Sequence, residues 1–124
     1  MVLIDFWTFD CWNGYRSFPR LNEIHERLAR HGLQVIGAHS PEFRHEHEPA
    51  RVAANVREFK LEHPVMIDND FSYCKALNNQ YWPAFYLIDK RGKIRYRFAG
   101  ETHCGDSRAR EIELRIGELI AEQP

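Results

Sequence analysis

The spacing of apolar residues changes period repeatedly along this chain, which excludes an all-helical or an all-β fold. Val2 to Trp7 is β-branched and aromatic and reads as a buried strand. From Tyr15 to Arg30, Phe18, Leu21, Ile24 and Leu28 recur at steps of three and four, with Arg20, Glu23, Glu26 and Arg27 on the other face. That predicts an amphipathic helix, closed by His31-Gly32 and kinked near its start by Pro19. Leu33 to Ala38 predicts a second strand, and His39 to Glu48 a loop rich in His, Glu and Pro. Pro49 suits a first helical residue, with Val52, Val56 and Phe59 marking one face. Pro64 to Asp68 predicts a short strand, and about Asp70 to Leu77 a further helix. Ala84 to Asp89 and Lys93 to Phe98 flank the turn Lys90-Arg91-Gly92 as a hairpin, and Ile112, Ile116, Leu119 and Ile120 stripe a last helix.

The resulting order is β-α-β-α-β-α-β-β-α. Strands alternating with helices favour parallel pairing through right-handed crossovers, and the late hairpin adds an antiparallel half. The expected fold class is α/β, a central mixed β-sheet flanked by helices on both faces. At 124 residues the chain fits a single domain over 1–124, without internal repeats or low-complexity stretches.

Charge and hydropathy then narrow the partners. Lys and Arg number 17 against 18 Asp and Glu, a formal net charge of −1. No long-range field draws phosphate backbones or anionic lipid, so neither nucleic acid nor a membrane surface is an expected partner. The longest apolar stretch is Ala84 to Ile88, against ~20 residues for a bilayer span, so no transmembrane segment is expected in this chain. No signal peptide is legible either, and the chain reads as a mature or excised domain.

Three cysteines, Cys11, Cys74 and Cys104, are too few and too far apart for a disulfide framework or a zinc site built on Cys pairs. Cys11 is the one placed for chemistry, in the turn between the first strand and the first helix. Free amides and the helix dipole there favour a thiolate and lower the thiol pKa from ~8.5. The alternative is a small buried hydrophobe, the fate of most free cysteines.

The segment Trp7-Thr8-Phe9-Asp10-Cys11-Trp12-Asn13-Gly14-Tyr15-Arg16 resembles the W-T-x-x-C-x-N-C-x-R active-site segment of thioredoxin-like proteins. The branch it resembles is the TlpA-like thiol:disulfide oxidoreductases, particularly the thioredoxin-like domain of DipZ-type membrane proteins. Gly37-Ala38-His39-Ser40-Pro41-Glu42-Phe43 is similar to that branch's V-I-G-V-H-T-P-E-F, and Asp68-Asn69-Asp70 to its D-N-D. Tyr81-Trp82-Pro83-Ala84-Phe85-Tyr86-Leu87-Ile88-Asp89 is similar to its Y-W-P-A-x-Y-L-I-D, and Pro19 falls where thioredoxins carry a helix-kinking proline.

The resemblance implies a thioredoxin-like fold and thiol:disulfide exchange with Cys11 as nucleophile. It implies a cis peptide bond at Pro83, facing Cys11, with Trp82-Pro83 as the platform for an extended substrate; a plain strand-start proline is the alternative. One departure bears on mechanism. Gly14 stands where the family has its second cysteine, so a mixed disulfide on Cys11 has no neighbouring thiol to resolve it. A monothiol cycle follows, resolved by glutathione, a second protein or a distant thiol; Cys74 is the candidate for the last, ahead of Cys104.

Trp7, Trp12, Asn13, Gly14, Trp82 and Pro83, with Tyr15 and Arg16, are expected to frame the active-site surface, while Phe6 and Phe85 are core. Glu42 is a candidate proton shuttle or else a solvated loop carboxylate. Asp10 either raises the Cys11 pKa or caps the helix. His39, His45 and His47 with Glu46 and Glu48 offer metal-binding side chains, but a solvated polar loop is the expected reading, so no metal and no cofactor are assigned. Expected partners are protein or glutathione disulfides, in an extracytoplasmic setting, periplasmic or membrane-tethered, with membership of a larger membrane-anchored protein among the expectations. Two other readings remain. One is a redox-inactive binding module that uses Trp12, Tyr81 and Trp82; the other, a one-Cys peroxidase, is matched only by Thr8 three residues before Cys11.

Overall fold

A computed structural model of the chain describes residues 1–8, 12–41, 47–79, 83–100 and 107–122, with backbone alone for 12–17. The elements are β1 (Val2–Trp7), α1 (Trp12–Leu28), β2 (Gln34–His39), α2 (Pro49–Glu58), β3 (Val65–Ile67), α3 (Ser72–Ala76), β4 (Ala84–Ile88), β5 (Ile94–Ala99) and α4 (Ser107–Ala121). The order expected from the periodicity is the order observed, with one 3-10 turn added at Ala29–His31. Gly32 ends that turn with φ of 94°, a left-handed conformation that glycine adopts without a Cβ clash.

The strands form one sheet in the order β3-β2-β1-β4-β5. β1 runs parallel to β2, and β2 parallel to β3, whereas β4 is antiparallel to both β1 and β5. β1 takes the centre because it is apolar on both sides. Leu3 and Trp7 pack with Val35, Phe85 and Leu87 against Phe18, Leu21 and Ile24 of α1, Val52 of α2, and Ile112, Ile116 and Leu119 of α4. Burying each such side chain contributes about 1.5–3 kcal/mol. On the opposite face Ile4, Phe6, Ala38, Ala84 and Tyr86 pack with Cys74 of α3.

Arg20, expected on the solvated face of α1, is only 3% exposed. Its guanidinium donates to Glu23 at 2.9 Å, to Glu113 at 3.2 Å and to the Ala109 carbonyl at 3.3 Å. Its long apolar stem reaches across while the charged head finds acceptors, so a residue that periodicity assigns to water joins α1 to α4.

Candidate functional site

Parallel strands β1 and β2 end side by side, and the register Phe6↔Ala84 brings the start of β4 to the same place. Three backbone ends therefore meet at one edge of the sheet, four residues of chain before α1 begins. Ser40 N–H donates to the Trp7 carbonyl at 3.0 Å, and Thr8 Oγ1 lies 3.5 Å from His39 Nε2. Pro83 is buried at the entrance to β4, and its carbonyl accepts from Gly100 N–H at 2.9 Å. α1 starts at Trp12, the residue after Cys11 in sequence, and the first amides of a helix have no partner within it.

The residues predicted from sequence divide into three groups. Cys11, Glu42 and Trp82 lie outside the described residues, as do Cys104, His45 and Glu46. Trp12, Asn13 and Gly14 form the first turn of α1, described through their backbone. Trp7, Pro83 and Cys74 are fully placed.

Trp7 corrects the expectation of a surface residue: it is 0% exposed. Its ring stands edge-on to Phe18 at 5.2 Å and to His39 at 4.8 Å. β1 is covered on both faces, so its last residue remains inside. Trp7 is the floor beneath α1 rather than part of a docking surface.

Cys74 is also interior, 5% exposed, and its Sγ donates to the Asn79 carbonyl at 3.3 Å. Burial, and then the Asp68 carboxylate, push its thiol above the ordinary range. A resolving thiol needs the opposite, a thiolate within reach of solvent. Among the described residues, no three His, Cys, Asp or Glu side chains cluster in a way that could hold a metal ion. No helix among them is long and apolar enough to cross a membrane.

Two residues escaped the sequence reading. Asp5, in the middle of β1, is 1% exposed, and both its carboxylate oxygens lack hydrogen-bond partners among the described residues. Burial raises its pKa well above the usual carboxylate range. By strand alternation it shares the face of Leu3 and Trp7, beneath α1. The signal was present: a carboxyl group inside an otherwise apolar strand that is covered on both faces. His63, just before β3, is 3% exposed, and both its ring nitrogens lack hydrogen-bond partners among the described residues. Its burial, and then the nearby His25, hold its pKa down to about 4. No sequence pattern marks it.

This chain is similar to known proteins over most of its length. Protein DipZ of Mycobacterium bovis (strain ATCC BAA-935 / AF2122/97) is 36% identical over 115 residues, 93% of this chain and 16% of DipZ. The thiol-disulfide oxidoreductase YkuV of Bacillus subtilis (strain 168) is 28% identical over 121 residues, 98% of this chain and 78% of YkuV. A thiol-disulfide isomerase structure from Corynebacterium glutamicum superposes with a TM-score of 0.86 at 25% identity, covering 98% of this chain and 81% of that one. The chain thus spans a small part, 16%, of the DipZ length. Its fold is thioredoxin-like, a mixed sheet between helices, and its relatives carry thiol:disulfide oxidoreductase names. With residues 1–97 matching the family throughout, the chain belongs to the AhpC/TSA family.

Proposed function

We propose that this chain carries out thiol:disulfide exchange as a single thioredoxin-like unit, with Cys11 as its nucleophile. The observation that carries this reading is the start of α1 at Trp12, directly after Cys11 in sequence and five residues past the end of β1. Free amides at a helix start stabilise a thiolate. The Cys11 thiol loses its proton, the thiolate attacks one sulfur of a disulfide, a Cys11 mixed disulfide forms, and the other sulfur leaves as a thiolate that takes up a proton. Pro83, at the entrance to β4, is the platform against which an extended substrate lies, and Trp82 and Trp12 are assigned to the same docking surface.

Gly14 makes the cycle a monothiol one, with the mixed disulfide resolved by glutathione or by a partner protein's thiol. The buried thiol of Cys74 argues against a resolving role for that residue. Glu42 is assigned as a proton shuttle on the loop after β2. The resemblance to the TlpA-like branch supports an extracytoplasmic setting, periplasmic or membrane-tethered, and protein or glutathione disulfides as substrates.

Incubation with glutathione disulfide over a pH series, followed by mass spectrometry, tests the reading. A Cys11 adduct with an apparent pKa clearly below the ~8.5 of a free thiol is expected, and Cys11→Ser loses it. A Cys11 that reacts only above about pH 8.5 overturns exchange chemistry and leaves a thioredoxin-fold binding module.

A further inference from the structure

Tyr86 sits in the middle of β4, buried among Ile4, Phe6, Ala38 and Ala84, where packing alone would accept a phenylalanine. Its ring is held from two sides: Phe6 stands edge-on with centroids 5.5 Å apart, and the Arg97 guanidinium lies 5.3 Å from the ring centroid. Burial raises its pKa, so the hydroxyl remains a donor. A hydroxyl inside an apolar cluster costs stability unless it is bonded, and this one donates to Asn79 Oδ1 at 2.8 Å.

Asn79 is fixed in its turn. Asp68 accepts from the Tyr73 and Cys74 amides at the start of α3, both at 2.9 Å. Past the other end of that helix Asn78 reverses the chain with φ of 54°. Asn79 then donates its N–H to the Cys74 carbonyl at 2.9 Å and accepts from Cys74 Sγ at 3.3 Å on its own carbonyl. One residue thus joins α3, through its backbone, to β4, through its side chain.

Pro83 lies between the bonded pair, four residues after Asn79 and three before Tyr86. Its carbonyl is held separately by the Gly100 N–H at 2.9 Å. Closing so short a segment by a buried bond removes most of its freedom to shift. We propose that the Tyr86–Asn79 hydrogen bond is a clamp that sets where Pro83 stands, making Tyr86 and Asn79 positioning residues for the docking of an extended substrate. The use of the clamp rests on the exchange reading, in which Pro83 is the substrate platform; the clamp itself does not. A displacement of about 1 Å in such a platform is enough to slow a reaction that depends on alignment. A disulfide without a peptide backbone has nothing to lay along Pro83 and is indifferent to the clamp.

The test compares two disulfides on the full chain: a linear peptide whose central cysteine carries glutathione, and bis(2-hydroxyethyl) disulfide. In Tyr86→Phe, Cys11 adduct formation with the peptide is expected to slow about tenfold, the worth of one lost hydrogen bond, while the small disulfide reacts within about twofold of wild type. The ratio of the two rates is the reading, because general loosening slows both alike. Hydrogen exchange of the Gly100 amide follows the clamp without any thiol chemistry and is expected to quicken in the same variant. Asn79→Ala removes the acceptor and leaves both backbone bonds to Cys74. It is expected to match Tyr86→Phe, with the double variant no slower than the slower single one. Should Tyr86→Phe fail to fold, Asn79→Ala decides by the same readings. An unchanged rate ratio, or unchanged Gly100 exchange, overturns the proposal. Wild-type Cys11 that reacts with neither disulfide overturns the exchange reading instead, and Gly100 exchange then decides the clamp alone.

Discussion

The two faces of the sheet treat a buried carboxyl group in opposite ways. On the α3 side Asp68, 2% exposed, accepts from Ser40 Oγ at 2.7 Å, from Tyr73 N–H at 2.9 Å and from Cys74 N–H at 2.9 Å. Close by, Asn79 takes the Tyr86 hydroxyl at 2.8 Å on its side chain and the Cys74 thiol on its carbonyl. On the α1 side Asp5, equally buried, meets no donor among the described residues. Where every donor has an acceptor the polar groups specify structure: Asp68 starts α3 and ties it to the end of β2. Where none is paired, stability is surrendered.

The sharpest way to break this contrast is Asp68→Ala. It strands a hydroxyl and two amides in the interior and is expected to cost about 4 kcal/mol in urea unfolding. A loss under about 1 kcal/mol would mean the α3 face is not held by this carboxylate.

A pH series of unfolding free energies sharpens the contrast from the other side. Folded Asp5 binds its proton more tightly than unfolded, so stability falls as pH rises from the ordinary carboxylate range through its raised midpoint. Folded His63 binds its proton more weakly, so stability falls as pH drops from 6.5 to about 4. Where the two ranges overlap, the slopes oppose. Asp5→Asn is expected to remove the decline with rising pH, worth up to about 1.4 kcal/mol per pH unit, and to expose the acid-side loss from His63. Superimposable wild-type and variant profiles would show that Asp5 does not titrate abnormally.

The smallest effect is expected from Gly37→Ala. Its new Cβ would press on Trp7 Nε1 at 3.0 Å and Val65 Cγ2 at 3.2 Å, within a packed face, for a loss of about 1–2 kcal/mol. A lowered thermal midpoint with a shifted indole N–H resonance for Trp7 is the expected signature; an unchanged midpoint would show room to spare beside Gly37.

Much of the architecture was legible because it rests on repeat patterns. Phe18, Leu21 and Ile24 at helical spacing, or the six-residue run of β1, carry their geometry in their own order. What was not legible depends on elements that meet only in three dimensions. Trp7 was assigned to the surface from its neighbours in sequence, yet its burial is decided by Phe18 and His39. Arg20 was assigned to solvent by period, yet Glu113 of α4 holds it inside. Asp5 could have been found, since a carboxyl group in a central strand must be paired or neutral. His63 could not, because what isolates it is the contact between the loop before β3 and the glycine of another strand.

The central place of β1 has a consequence for how the chain acquires its shape. Its first residue pairs with Gln34 on one side and with Ile88 on the other. The second of these loops must close over most of the chain, and loop-closure entropy rises with length. Topologies dominated by such distant pairings fold slowly, in the millisecond-to-second range rather than microseconds. β1 is therefore among the last strands to be fully enclosed, and its apolar run remains a liability for aggregation until the hairpin of β4 and β5 has formed.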